Sequence, residues 1–263
     1  MPEGDTIHTL AGALDPRLRG QTLAGGRIAA HPDLQLAGRR VGPVTARGKH
    51  LFIELDGELV LRSHLGMHGS WHRYARGEAW KKPERHASIV LETPTDVVVC
   101  FHAREVQLLA ADRAARFDLQ RELGPDLVVE LPPADEVLKR AAVFLEPGDP
   151  VADLLLDQRV ASGVGNVYKS EVLFVERLHP LTRADRLGEE RVAPLLATAH
   201  RLLRANLHGG PRVTRERRDG AGDLWVYRRH GRPCLRCGTR IESARLGRGR
   251  RSTYWCPRCQ PAP

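Results

Sequence analysis

The chain has 263 residues, a length that suits one large domain or two ordinary ones. Hydrophobic residues are 41 % and charged residues 28 %, which supplies a packed core and excludes wholesale disorder. Basic residues outnumber acidic ones 41 to 32, and no apolar run nears the roughly 18 residues of a spanning helix, which excludes an integral membrane protein.

Only Lys49, Lys81, Lys82, Lys139 and Lys169 are lysines; the rest of the basic surplus is arginine. A net charge of +9 suits a polyanionic partner, with a solvated arginine-rich surface as the alternative. The start, Met1-Pro2-Glu3-Gly4-Asp5, lacks the basic and apolar regions of a signal peptide. Four of the five cysteines crowd into the last 30 residues, unlike a disulfide-stapled secreted scaffold. The expectation is a soluble cytoplasmic protein, nucleoid-associated if the polyanion is DNA.

In chain order, the first element is a helix with Asp5 as N-cap and Ile7, Leu10, Ala11 and Leu14 on one face. Pro16 and Gly20 are its expected stop. From about residue 21 to 112 the texture changes to short strands. Leu51–Leu55 and Glu58–Leu61 flank Asp56-Gly57, a tight-hairpin signal. Ser88–Glu92 and Val97–Phe101 flank a second turn at 93–96. Strands at this spacing predict a sandwich or barrel-like first domain.

Leu123-Gly124-Pro125-Asp126 to Pro132-Pro133 reads as a linker. Beyond it, helices are predicted over Val151–Val160, Val167–Glu176 and Glu189–Leu207, the last with Leu195, Leu196, Ala199, Leu202 and Leu203 on one face. His208–Asp223, with Gly-Gly-Pro and many charges, reads as a connector. The expected domains are 1–122, a linker at 123–137, a helical domain at 138–223 and a cysteine module at 224–263.

Cys234-x2-Cys237 and Cys256-x2-Cys259 are separated by 18 residues, a four-thiolate zinc spacing. Two residues between cysteines let both thiolates face one tetrahedral ion, and two such knuckles close its shell. A closed shell leaves no position for substrate, so the zinc would be structural. Between the knuckles lie Arg245, Arg248, Arg250 and Arg251, and a zinc-pinned β-hairpin carrying arginines suits a DNA groove. Cys100, in an apolar strand, is expected in the core.

Gly163-Val164-Gly165-Asn166 joins two helices by a tight turn. A helix N-terminus with free N–H groups is an anion site, so a DNA phosphate could dock there, with Arg159 and Lys169 as basic neighbours. The alternative is an ordinary capped helix. At the other end of the chain, removal of Met1 would leave Pro2 as a secondary amine. A generic α-amino group has a pKa of about 7.7–8.0 against about 10.4 for lysine, so roughly a tenth of it is unprotonated at neutral pH. Such an amine can attack an aldehyde-like sugar carbon to form a Schiff base, with Glu3 beside it to move protons.

In this order, the features resemble the formamidopyrimidine-DNA glycosylase and endonuclease VIII superfamily. The markers are Pro2-Glu3-Gly4, Arg47-Gly48-Lys49, Ser63-His64-Leu65-Gly66-Met67, Leu123-Gly124-Pro125-Asp126, Leu156-Asp157-Gln158 through Gly165-Asn166, and the terminal cysteines. The resemblance covers essentially the whole chain. It implies an α+β protein with an N-terminal β-sandwich domain, a helix–two-turn–helix domain and a C-terminal zinc finger (β-hairpin). It also implies a bifunctional DNA glycosylase and abasic-site lyase of base excision repair, acting as a monomer on double-stranded DNA.

The same resemblance makes Pro2 the Schiff-base nucleophile, Glu3 its acid/base partner and Lys49 a proton donor and phosphate contact. Arg251 becomes the finger arginine that assists δ-elimination and grips phosphates, and Asn166 the phosphate-binding asparagine. Met67 is the candidate wedge for the vacated base stack, with a core methionine as the alternative, and Arg121 is a further DNA-contact candidate. Cys234, Cys237, Cys256 and Cys259 would hold one zinc ion.

Two branches share this machinery. Gly4 after Glu3, and Phe101-His-Ala-Arg-Glu-Val-Gln in place of an Asp-Pro-Arg-Arg-Phe-Gly element, point to the endonuclease VIII branch and to oxidised pyrimidines. That replacement leaves Arg104 without an assigned role. The His64-Leu65-Gly66-Met67 run instead resembles the formamidopyrimidine branch, which keeps an 8-oxoguanine glycosylase open as an alternative. A non-catalytic damaged-DNA binder is the other.

Overall fold

The structure, a computed structural model, describes residues 2–111, 123–215 and 219–263. Arg121 lies outside the described residues. The chain forms two compact units, Met1–Pro2 with Thr6–Leu119 and Glu3–Asp5 with Gln120–Pro263.

Helix α1 (Gly4–Leu18), which belongs to the first unit from Thr6 on, starts one residue before Asp5 and runs through Pro16 instead of stopping there. The reason is packing: Leu18, in its last turn, is fully buried with Ile7, Ala11 and Leu14, and that burial outweighs the proline's local cost. Strands follow at β1 (Gly25–Ile28), β2 (Val41–Arg47), β3 (His50–Leu55), β4 (Leu59–His64), β5 (Ser70–Ala75), β6 (Ala87–Glu92), β7 (Asp96–Phe101) and β8 (Glu105–Ala110). They make two four-stranded antiparallel sheets, ordered β1-β6-β7-β5 and β2-β3-β4-β8.

One apolar core takes side chains from both sheets and from α1: Ile28, Ile89, Leu91, Val98 and Cys100 from one sheet, Val44, Leu51, Ile53 and Leu61 from the other. That shared core makes the unit a β-sandwich. The β3–β4 hairpin turns where the sequence predicts it, with Asp56 and Gly57 both left-handed at φ 55° and 74°. The β6–β7 turn is closed by Thr93, whose hydroxyl accepts the Asp96 N–H at 2.9 Å.

The second unit carries α2 (Ala134–Phe144), α3 (Val151–Leu156), α4 (Asn166–Val175), α5 (Glu189–Ala205), β9 (Glu242–Leu246) and β10 (Arg251–Trp255). Segment 123–128, read from sequence as a linker, is buried and paired with the turn at 158–162: Gly124 N–H donates to Gln158 O at 2.7 Å, and Ser162 N–H to Pro125 O at 2.8 Å. Helix α3 ends at Leu156, short of the expected Val160. The Asp157 carboxylate bends the chain there by accepting the N–H and the guanidinium of Arg159.

The helical core gathers Leu195, Leu196, Ala199, Leu202 and Leu203 of α5 against Val172 of α4 and Leu154 and Leu155 of α3. Full burial of each leucine contributes roughly 1.5–3 kcal/mol. A smaller core, Phe174, Val226, Cys234, Ile241 and Cys256, seats the cysteine module. No helix among the described residues is long and apolar enough to cross a membrane.

Candidate active site

The first turn of α4 is built around Glu3. Gly165 N–H donates to Glu3 Oε2 at 2.8 Å, Val167 N–H to Oε1 at 2.8 Å, and Tyr168 N–H to Oε2 at 3.4 Å. A carboxylate thus fills the positive end of α4. Gly165, not Asn166, is the N-cap residue, and it makes no side-chain cap bond. Glycines are needed for the approach. Gly4 N–H donates to Gly163 O at 2.8 Å, a Cβ on Gly4 would lie 2.8 Å from Gly163 Cα, and Gly163 itself sits at φ 106°.

Glu3 is fully buried, whereas Pro2, bonded to it, is half-buried. Two residues on, the Asp5 carboxylate accepts the Tyr168 hydroxyl at 2.9 Å and two guanidinium bonds from Arg212, at 2.6 and 2.7 Å. Burial foremost, then Asp5, pushes the Tyr168 hydroxyl far above its ordinary range. These partners of Asp5 lie more than 160 residues away, and the sequence carries no signal of them.

Asn166 is half-buried at the start of α4, with its amide on the finger: Nδ2 donates to Ser252 O at 2.7 Å. Arg251, the first residue of β10, is exposed. Among the other hairpin arginines, Arg248 at the tip turns back onto the helices. Its N–H donates to Asp153 Oδ2 at 2.9 Å and its guanidinium to Phe144 O at 3.1 Å, with ion pairs to Asp149 and to Glu146. Both basic neighbours expected around the turn have partners within the protein. Arg159 is held by Asp157 at 2.6 Å, and Lys169 is completely buried. Burial pulls Lys169 down to about 7, against the carboxylates of Asp153 and Glu3, which raise it.

In the first unit, Lys49 follows the left-handed Gly48 in the β2–β3 turn and is half-buried. Its charge, with that of Arg62, adds to burial in depressing His50, which falls to about 3, and it also depresses the neighbouring His64. Arg62 Nε donates to His50 Nδ1 at 3.1 Å, and the His50 and His64 rings lie 4.8 Å apart. Met67 is 56 % exposed in the turn after β4, so it is not a core methionine. Beside it, a Cβ on Gly66 would meet Arg104 Cβ at 2.9 Å, so Arg104 shares this loop corner.

The four cysteines behave as one cluster, with sulfur atoms all within 4.8 Å of one another. Cys234 and Cys259 sulfurs are 3.9 Å apart, those of Cys237 and Cys256 3.4 Å. Tetrahedral zinc with bonds of about 2.3 Å needs sulfurs about 3.8 Å apart, so the donor set fits that ion.

Family comparisons match three stretches of the chain. Formamidopyrimidine-DNA glycosylase N-terminal domain matches residues 1–106, its H2TH domain residues 123–217, and the zinc finger found in FPG and IleRS residues 231–262. The chain belongs to the family of formamidopyrimidine-DNA glycosylases and endonuclease 8 enzymes. Among family members, the probable endonuclease 8 2 of Streptomyces coelicolor is 38 % identical over 100 % of this chain and 95 % of its own length. The DNA-(apurinic or apyrimidinic site) lyase Nei2 of Mycolicibacterium smegmatis is 38 % identical, with both chains fully covered. The formamidopyrimidine-DNA glycosylase of Chloroflexus aurantiacus is 32 % identical over 99 % of this chain and 98 % of its own. The fold is that of Lactococcus lactis formamidopyrimidine-DNA glycosylase, in a structure with abasic-site DNA, at TM-score 0.81 and 22 % identity over 99 % and 100 % of the two chains.

Proposed function

We propose that this family member is a bifunctional DNA glycosylase and abasic-site lyase of base excision repair that removes oxidised pyrimidines from duplex DNA. The observation that carries the reading is the seat of Glu3 on the N–H groups of Gly165 and Val167, directly after Pro2. It fixes a carboxylate beside the nitrogen that becomes a secondary amine once Met1 is removed, of a class far less basic than a lysine side chain.

Extruding a damaged base costs a few kcal/mol of unstacking, less for a lesion that stacks poorly. Met67, exposed at a loop tip, is the side chain to fill the vacancy. The Pro2 nitrogen attacks C1′, and the bond from C1′ to the base breaks with its electron pair leaving on the base, which takes up a proton. The Glu3 carboxylate takes the proton from the nitrogen, and as the nitrogen lone pair opens the ring and the C1′–O4′ electron pair moves onto O4′, Glu3 returns that proton to O4′. The resulting iminium acidifies C2′. Loss of that proton breaks the C3′–O3′ bond, and a second elimination breaks C5′–O5′.

Lys49 donates a proton and holds phosphate in the first elimination, Arg251 assists the second, and Asn166 binds the phosphate backbone. Cys234, Cys237, Cys256 and Cys259 would hold one zinc ion, which supplies structural closure of the finger and no chemistry. Support for oxidised pyrimidines comes from Gly4 after Glu3 and from relatives named endonuclease 8 at 36–38 % identity. The Ser63-His64-Leu65-Gly66-Met67 run, with relatives named formamidopyrimidine-DNA glycosylase at 32–36 % identity, favours oxidised purines as a second reading.

Duplexes carrying thymine glycol, dihydrouracil, 8-oxoguanine or an abasic site separate these readings. Cleavage at all but 8-oxoguanine is the expected result. Preferential cleavage at 8-oxoguanine would move the protein to the other branch, and tight binding without strand cleavage would make it a damaged-DNA binder.

A further inference from the structure

Lys169 is a lysine with no exposed surface, and its three ammonium protons meet three acceptors. Nζ donates to Asn166 Oδ1 at 2.7 Å, to Thr253 Oγ1 at 2.7 Å and, more weakly, to Ser252 O at 3.4 Å. Two of the acceptors belong to β10 of the finger hairpin and one to the first residue of α4. A buried cation is costly unless it is paired and hydrogen-bonded. Carboxylates of Asp153 and Glu3 offset that cost, and the guanidinium of Arg251 adds to it.

The donor-only character of an ammonium decides the polarity of Asn166. Facing Lys169, the amide must present its oxygen, which sends Nδ2 to the other side. One Nδ2–H is then donated to Ser252 O at 2.7 Å, and the second has no partner among the described residues. The Thr253 hydroxyl, while accepting from Lys169, donates to the carbonyl of Arg251 at 3.0 Å. A single ammonium therefore reaches the Asn166 amide directly and the Arg251 backbone through one hydroxyl.

We propose that Lys169 is a positioning residue that sets both phosphate-gripping side chains of this unit: it holds the Asn166 amide with an N–H outward and, through Thr253, fixes the hairpin backbone at Arg251. The inference rests on the function proposed above, because it takes the outward N–H and the Arg251 guanidinium to meet DNA phosphates. Lys169 itself touches no DNA. It acts through its two neighbours, which is why a residue that reads in sequence as one more basic neighbour of the turn is buried in the structure.

The test is a double-mutant cycle on the full chain, with a duplex containing a tetrahydrofuran abasic analogue as the binding probe. N166A should weaken binding about tenfold, the size of one lost charge-assisted contact, and K169M at least as much. In the combined variant the loss should stay near that of the worse single variant. K169R, a cationic donor, should bind within about threefold of wild type. At saturating abasic-site DNA the rate of the first elimination should change little in K169M, while the δ-product share falls in both K169M and T253V.

Zinc content and a thermal melt report whether K169M folds; if it does not, T253V carries the test, since it keeps the lysine and removes only the hydroxyl relay. Additive losses in the combined variant, wild-type binding by K169M, or an unchanged δ share in T253V would overturn the proposal. Wild-type protein that neither binds nor cleaves the probes overturns the functional reading and this proposal with it. Active wild-type protein with an additive cycle sinks this proposal alone.

Discussion

Arg212 grips Asp5 with two parallel hydrogen bonds, at 2.6 and 2.7 Å, across 207 positions of sequence. Both side chains are largely buried, and the guanidinium also lies over the Tyr168 ring at 5.3 Å. The pair ties the start of α1 to the segment after α5, two residues from Glu3. Removing one partner leaves an uncompensated buried charge, which costs about 3–5 kcal/mol. R212A should therefore lower stability by that order in urea denaturation, and D5N/R212M should recover much of it. A loss below ~1 kcal/mol in R212A would show that the clamp contributes little.

Glu3 can be displaced without touching it. Gly165 has an ordinary extended backbone at φ −121°, so alanine there is not strained. Its Cβ, however, would overlap the Glu3 carboxyl carbon and stand 2.6 Å from Cγ. G165A should cut turnover on abasic DNA at least tenfold while binding to an abasic analogue changes less than threefold. E3Q should abolish base removal and cost about 1–3 kcal/mol of stability, because an amide nitrogen cannot accept the N–H groups that both carboxylate oxygens now take. Equal activity of G165A and wild type in a single-turnover assay would contradict this account of the seat.

His50 gives the fold a defined acid response. Burial foremost, then Arg62, His64 and Lys49, holds its pKa near 3 instead of 6.5. The folded protein thus keeps His50 neutral where the unfolded chain takes up a proton. Stability is complete above pH 6.5 and is lost as pH falls from 6.5 towards 3, by about 1.4 kcal/mol per pH unit at most from this group. His64, depressed by its own burial, acts in the same direction. Denaturation midpoints at pH 7 and pH 4.5 should differ less in H50Q than in wild type; an identical pH difference in the two proteins would remove His50 as the cause.

On the proposed reading one zinc ion closes the finger, whose small core around Phe174, Val226 and Ile241 includes Cys234 and Cys256 themselves. Purified protein should contain one zinc per chain, and C256S should lose it together with DNA binding. The first unit, with its own core, should keep its far-ultraviolet β signal after chelation. Retained zinc in C256S would argue against a four-thiolate site.

Much of this arrangement is legible in the sequence where the cause is local. The cysteine spacing, the Asp56-Gly57 hairpin and the apolar face of α5 each follow from residues a few positions apart. What sequence hides is the partner at long range. Glu3 meets the N-terminus of α4 across more than 160 residues, and only the fold shows that the carboxylate, not Asn166, fills that end. Lys169 reads as a basic neighbour of the phosphate-docking turn and Arg248 as a hairpin arginine for a DNA groove, yet one is buried under the finger and the other turns inward onto Asp153 and Asp149. Pro16 and the Asp157–Arg159 contact moved two helix ends, the first because burial of Leu18 overrides a local breaker, the second because a side chain competes for the backbone.

In the proposed mechanism the amine of Pro2 is the nucleophile. Borohydride reduction of a mixture of Met1-processed protein and abasic-site duplex, followed by peptide mass mapping, tests it directly. One covalent sugar adduct is expected on the N-terminal peptide, at Pro2. An adduct on Lys49 or another lysine, or no adduct from correctly processed protein, would contradict it.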